Sequence, residues 1–100
     1  GVTNEVVLPL DGDYNISLED AVEIAFEEAK KYEDEYGLII DDDAISDYTC
    51  EVIKKNDQVD QVFYNIIFKN LPLKNYLIRS QIGIWVDVDS GEVINVSQYK

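Results

Sequence analysis

The second half of the chain alternates. Ile82, Ile84, Val86 and Val88 share one parity, and Gly83, Trp85, Asp87 and Asp89 the other, the period-two pattern of a half-buried strand. The same pattern occurs upstream. Val62, Tyr64, Ile66 and Phe68 alternate within a predicted strand over 59–70, and Tyr48, Cys50 and Val52 oppose Asp47, Thr49 and Glu51 within another over 44–55. A third strand is predicted over 76–89 and a fourth over 93–99. The joins carry turn chemistry. Asn56-Asp57-Gln58 reads as a hairpin turn, and residues 71–75 read as a connection because Pro72 cannot donate to a central ladder. Asp89-Ser90-Gly91-Glu92 offers an Asp that can bond the backbone and a Gly free to take positive φ.

Before the strands the period changes. Leu18, Ala21, Val22, Ala25, Ala29, Tyr32 and Tyr36 recur at spacings of three and four, giving one apolar stripe, with Glu23, Glu27, Lys30, Lys31 and Asp34 away from it. Ser17 can cap this helix, Glu19 and Asp20 suit the positive end of its dipole, and Gly37 is a fitting stop. The predicted helix runs over 17–36. The small alanines allow a close approach to whatever it covers.

One helix followed by hairpin-joined strands predicts an α+β fold, with the N-terminal helix laid on a four-stranded antiparallel sheet. Residues 1–15 read as a lead-in and 16–100 as one domain. Val6, Val7 and Leu8 can form a short strand, which Pro9 limits to an edge or an end, and Asp11-Gly12-Asp13 signals a turn.

With 100 residues, 46% of them hydrophobic and 11% aromatic, the chain has enough apolar content for one small core. It has no apolar run of the roughly 18 residues that would suggest a membrane span. No signal peptide is visible. Gly1 reads as a cloning remnant, consistent with an export segment cut away upstream. The net charge is −13, which makes nucleic acid and anionic lipid poor partners. The charge is unevenly spread: residues 1–53 hold 16 acids against Lys30 and Lys31, while residues 54–100 hold 5 acids against 6 bases. The acidic half is either a solvated helix face or a docking face for a cationic partner or for the basic half of another copy.

The chain contains no His and a single Cys, Cys50, which is expected to be a buried, inert strand residue. Most nucleophile–base pairs and zinc-type sites therefore lack members, and the scattered glycines form no phosphate loop. The chain is read as a non-enzyme without a cofactor. Asp41, Asp42 and Asp43, and Asp87, Asp89 and Glu92, are the weak calcium candidates. Acidic turns are more often only turns, and no EF-hand spacing is present. Tyr48 and Tyr64 are expected to face the helix. Phe63 and Trp85 have the opposite parity, which places them on the sheet's outer face, as a partner-binding site or as cross-strand filler.

Ile16-Ser17-Leu18-Glu19-Asp20-Ala21-Val22-Glu23-Ile24-Ala25 resembles the helix opening of PepSY domains, and Trp85-Val86-Asp87-Val88-Asp89-Ser90-Gly91-Glu92-Val93-Ile94 resembles their closing strand-turn-strand. The resemblance covers about residues 16–98. It implies a cystatin-like α+β fold and a small bacterial module outside the cytoplasm, secreted or envelope-anchored. Its implied role is to restrain a peptidase or to act as a binding module for a protein or peptide, with no catalytic residues. The alternative is a structural or sensory module of a cell-envelope protein with no separable ligand. No protease domain accompanies the chain, which counts against an intramolecular propeptide role.

Overall fold

The computed structural model describes residues 4–56 and 60–99. Their order is β1 (Asn4–Leu8), α1 (Leu18–Lys30), α2 (Glu33–Tyr36), a 3-10 helix (Asp42–Ser46), β2 (Tyr48–Asn56), β3 (Asp60–Leu73), β4 (Tyr76–Asp87) and β5 (Val93–Tyr99). The strands form one antiparallel sheet in chain order, β1-β2-β3-β4-β5. The fold is α+β, with one long helix packed on a five-stranded antiparallel sheet.

The sheet thus has five strands, not the four expected. The fifth is β1, from the lead-in segment. Val6-Val7-Leu8 shows no alternation that would mark a strand, but Pro9 stands just past the ladder and does not interrupt it.

Helix α1 starts as expected, with the Ser17 hydroxyl accepting from the Asp20 N–H at 3.1 Å. The single helix expected over 17–36 is instead two. The Tyr32 N–H bonds back to the Ala29 carbonyl at 3.0 Å, a tighter turn than the α-helix, and Tyr32 takes φ −101° and ψ 5°. The Tyr32 and Tyr36 rings still stack, with centroids 5.4 Å apart. Gly37 closes α2 in the left-handed conformation at φ 65°.

Three strand boundaries also differ from expectation. Residues 42–46 form a 3-10 helix rather than the start of β2: the Ala44 N–H donates to the Asp41 carbonyl at 3.0 Å, and Ala44 turns inward. β3 runs on through Pro72 to Leu73. The Pro72 carbonyl accepts from the Ile39 N–H at 2.9 Å, and the register shifts on both sides, so the missing donor falls where the ladder is already irregular. β4 ends at Asp87 because Asp87 Oδ1 accepts from the Asp89 and Ser90 N–H groups at 2.8 and 2.9 Å, which turns the chain. Gly91 completes this turn at φ 77°. The hairpin turn expected at 56–58 lies outside the described residues beyond Asn56.

The core lies between α1 and the inner sheet face. Ala21, Val22, Ala25, Phe26 and Ala29 meet Val52, Tyr64, Ile66, Phe68, Leu71, Ile82, Ile84, Val86 and Val88. Ala21, Ala25 and Ala29 are fully buried, so the helix backbone sits close to the sheet. Phe26, which the expected stripe omitted, is buried and meets Phe68 edge-on at 6.0 Å. The Tyr64 hydroxyl, at the core's edge, donates to the Ile16 carbonyl at 2.7 Å and ties the chain entering α1 to β3.

Candidate partner-binding face

Inward placement of Tyr64, Ile66 and Phe68 turns Phe63, Asn65 and Ile67 to the other face, since successive strand residues alternate. Register then decides which outward residues meet. Val7 pairs with Ile53, Ile53 with Phe63, and Asn65 with Trp85. Phe63 and Trp85 stack with centroids 4.4 Å apart and planes 20° from parallel. The Lys55 ammonium lies 5.0 Å from the Trp85 ring centroid, and Glu5 stands 3.8 Å from Lys55. An apolar row therefore crosses the outer face from Val7 through Ile53 and Phe63 to Trp85, with a cation over its end. No described helix covers this face.

Phe63 and Trp85 are thus brought together on the outer face, as their parity implied. They are unequally available. Phe63 is only 1% exposed, whereas Trp85 is partly exposed. Beside them, Trp85 Nε1 and Asn65 Oδ1 are buried with no hydrogen-bond partner. Buried polar atoms without a partner are uncommon, and each costs about 1–3 kcal/mol. Val7, Ile53, Lys55 and Asn65 were not singled out from the sequence. Their parity was readable, but the register that sets them beside Phe63 and Trp85 was not.

The calcium candidates are placed apart. Asp87 uses Oδ1 twice in its turn, while Asp89 and Glu92 are exposed. Asp41, Asp42 and Asp43 are exposed at the entry to the 3-10 helix, and the groove lined by Asp41, Asp43 and Asp47 also holds Lys69 and Arg79. Among the described residues no three acidic or thiol side chains converge as a metal-binding group.

Cys50 lies on the inner face, partly buried, with its Sγ 3.9 Å from the Glu51 carbonyl. Burial, and then the Glu51 charge, push its thiol up to about 12, so it is neutral and a poor nucleophile near pH 7. Among the described residues, Lys74 and Asp34 form an exposed ion pair at 2.7 Å. Their hydrogen bond holds the Asp34 carboxyl below its ordinary range and the Lys74 ammonium above it. It joins the β3–β4 turn to α2 and touches neither the aromatic stack nor Cys50. Among the described residues no helix is long and apolar enough to cross a membrane. Comparison with known families, curated proteins and solved structures found no match to this chain.

Proposed function

We propose that this chain is a non-enzymatic, exported binding module of PepSY-like type that holds a protein or peptide on its outer sheet face. One observation carries the reading: the Phe63–Trp85 stack lies on the face opposite α1, beside the unpartnered Trp85 Nε1 and Asn65 Oδ1. A partly exposed aromatic side chain on an uncovered sheet face is the kind of anchor that dominates protein and peptide contacts. The one long helix, α1, across an antiparallel sheet supports the cystatin-like form of the α+β fold. The Ser17 cap and the Asp87–Gly91 turn form where the PepSY-like motifs lie, which supports that resemblance. Within this reading the partner is a peptidase or an envelope protein of the producing bacterium, neutral to basic against a charge of −13.

A second reading, a structural or sensory module without a separable ligand, draws on the near-complete burial of Phe63, which leaves much of the aromatic surface already covered. The test is capture from the producer's secreted and envelope proteins, with wild type and Trp85→Ala compared after both are shown to be folded. Capture of a peptidase or envelope protein that Trp85→Ala loses supports binding through the outer face, and inhibition of a captured peptidase would identify restraint. Capture indifferent to Trp85→Ala removes the proposed face, and no capture favours the structural module.

A further inference from the structure

We infer that the groove between the 3-10 helix and the bulged end of β3 binds a small aliphatic zwitterion, a free amino acid or a short peptide with both ends uncapped. Neither Phe63 nor Trp85 lines this groove, so the site is separate from the aromatic stack and goes beyond the binding reading above.

The sheet makes the groove by breaking its own ladder. Between Phe68 and Leu71 the register of β3 against β4 shifts, so Lys69 and Asn70 together oppose the single residue Gln81. Asn70 takes φ 58°, a left-handed conformation uncommon outside glycine. Three hydrogen bonds hold this arrangement. The Asn70 side-chain amide donates to Asp47 Oδ2 at 2.9 Å, the Asp47 carbonyl accepts from the Lys69 N–H at 2.9 Å, and the Asn70 carbonyl accepts from Arg79 Nη1 at 2.9 Å. Asp47, which follows the 3-10 helix, is thereby fixed against the bulge, and Arg79 is drawn to the same place. The result is an open groove of about 400 Å³, a size typical of small-ligand sites.

Its walls carry opposite charge. Asp41 and Asp43 come from the 3-10 helix and its entry, Lys69 and Arg79 from the sheet. Among the described residues none of the four enters an ion pair. The Asp41 and Asp43 carboxylates accept no hydrogen bond there and the Lys69 ammonium donates none, while Arg79 commits Nη1 to the Asn70 carbonyl and keeps its other donors. Much of the remaining lining is apolar. Ala44 and Leu71 are buried, and Ile39 and Pro72 beside them are more exposed.

That combination selects the occupant. A lone anion would meet Lys69 and Arg79 but also face the unmet carboxylates, and a lone cation would face the converse. A metal ion does not fit, since among the described residues no three acidic side chains converge. An uncharged ligand would leave all four charges as they stand. A zwitterion meets both walls at once. Its carboxylate takes the Lys69 ammonium and the remaining guanidinium donors of Arg79, its ammonium takes Asp41 and Asp43, and its aliphatic side chain covers Ala44 and Leu71 beside Ile39.

The probes are leucine and leucyl-leucine, each also with its amine acetylated or its carboxylate converted to the amide, and glycine. Binding is measured by calorimetric titration and located by backbone amide shifts in NMR. At least one of the two uncapped probes is expected to bind, with shifts at Ala44, Asp47, Lys69 and Asn70, and the tighter of the two assigns the source as free amino acid or short peptide. Its acetylated form, which lacks the cation, and its amide, which lacks the anion, are each expected to bind about tenfold more weakly, as is glycine, which lacks the side chain. Lys69→Gln and Asp43→Asn change exposed side chains that make no hydrogen bond or ion pair among the described residues, and each should weaken the uncapped probe about tenfold. Lys69→Gln should not weaken the amide further, and Asp43→Asn should not weaken the acetylated form further, because each variant removes the partner of a charge that the probe already lacks. Capped forms or glycine bound as tightly as the uncapped probe overturn the inference. So does the absence of binding by both uncapped probes, or shifts centred on Trp85 with the groove unmoved. Trp85→Ala is expected to leave zwitterion binding unchanged, so the groove and the outer-face reading stand or fall separately.

Discussion

Trp85 covers Phe63: their rings lie 4.4 Å apart and nearly parallel, and Phe63 is left 1% exposed on a face that no described helix shields. The pair is therefore both a packing unit and a surface. Trp85→Ala is expected to uncover Phe63, cost about 1–3 kcal/mol of stability through lost burial and stacking, and still fold. Chemical denaturation followed by circular dichroism checks this. An unchanged midpoint would mean that the stack is not maintained in solution.

Asn65 gives the opposite sign. Its Oδ1 is buried without a partner. Replacing such a group with an apolar one of similar size removes an unmet desolvation cost, so Asn65→Leu is expected to raise stability by about 1 kcal/mol. Matched denaturation of the variant and wild type checks the sign. A destabilised Asn65→Leu would show that Asn65 is satisfied in solution.

Ala25 is fully buried at the contact between α1 and the sheet, and Glu27 is exposed on the other side of the same helix. Ala25→Leu should overpack that contact and cost about 1–3 kcal/mol, whereas Glu27→Gln should stay within about 0.5 kcal/mol of wild type. Thermal unfolding of both variants gives the comparison, and equal small shifts would contradict the packing described.

Cys50 supplies a pH dependence. Its folded value of about 12 lies above its ordinary value of 9.0. The unfolded chain therefore releases this proton first, and the contribution to stability is constant below about pH 9 and falls as pH rises towards about 12. Comparing the denaturation midpoints of wild type and Cys50→Ala across that range isolates the effect. The same burial predicts slow alkylation of the folded protein at pH 8 and rapid alkylation in denaturant. Fast labelling of the native state would place the thiol at the surface.

If the acidic turns serve only as turns, millimolar calcium should raise the melting temperature no more than sodium chloride of equal ionic strength, since both screen the −13 self-repulsion. A saturable, calcium-specific rise removed by Asp87→Asn or Asp42→Asn would establish a site that the dispersed carboxylates do not suggest.

Much of the fold was legible because it is written in local periods. The Ser17 cap, the Gly37 stop and the alanine stripe each need only a few neighbouring residues, and they formed as read; the turn after β4 also formed with Gly91 at positive φ, but on the Asp87 carboxylate rather than the expected Asp89. The misreadings arose where distant contacts decide local form. Tyr32 begins a second short helix despite a spacing that continues the first. Residues 42–46 coil inward at Ala44 before β2 begins, and Pro72 lies in a strand because Ile39 and a bulge accommodate it.

The same division holds for the candidate site. Parity alone put Phe63 and Trp85 on one side of their strands, because a strand turns every second side chain to the same face. It could not show that Asn65 stands opposite Trp85, that Lys55 reaches across to its ring, or that Val7 continues the row to an open edge. Those relations depend on register, and register is set by how whole strands align when the opposite face is buried against α1. The sequence by itself determined the start of the helix, the inner and outer faces of the strands and the charge imbalance. The tertiary structure decided that the short strand readable at Val6–Leu8 joins this sheet, as its fifth strand and at its edge, because its ladder partner among the described residues, β2, lies far along the chain.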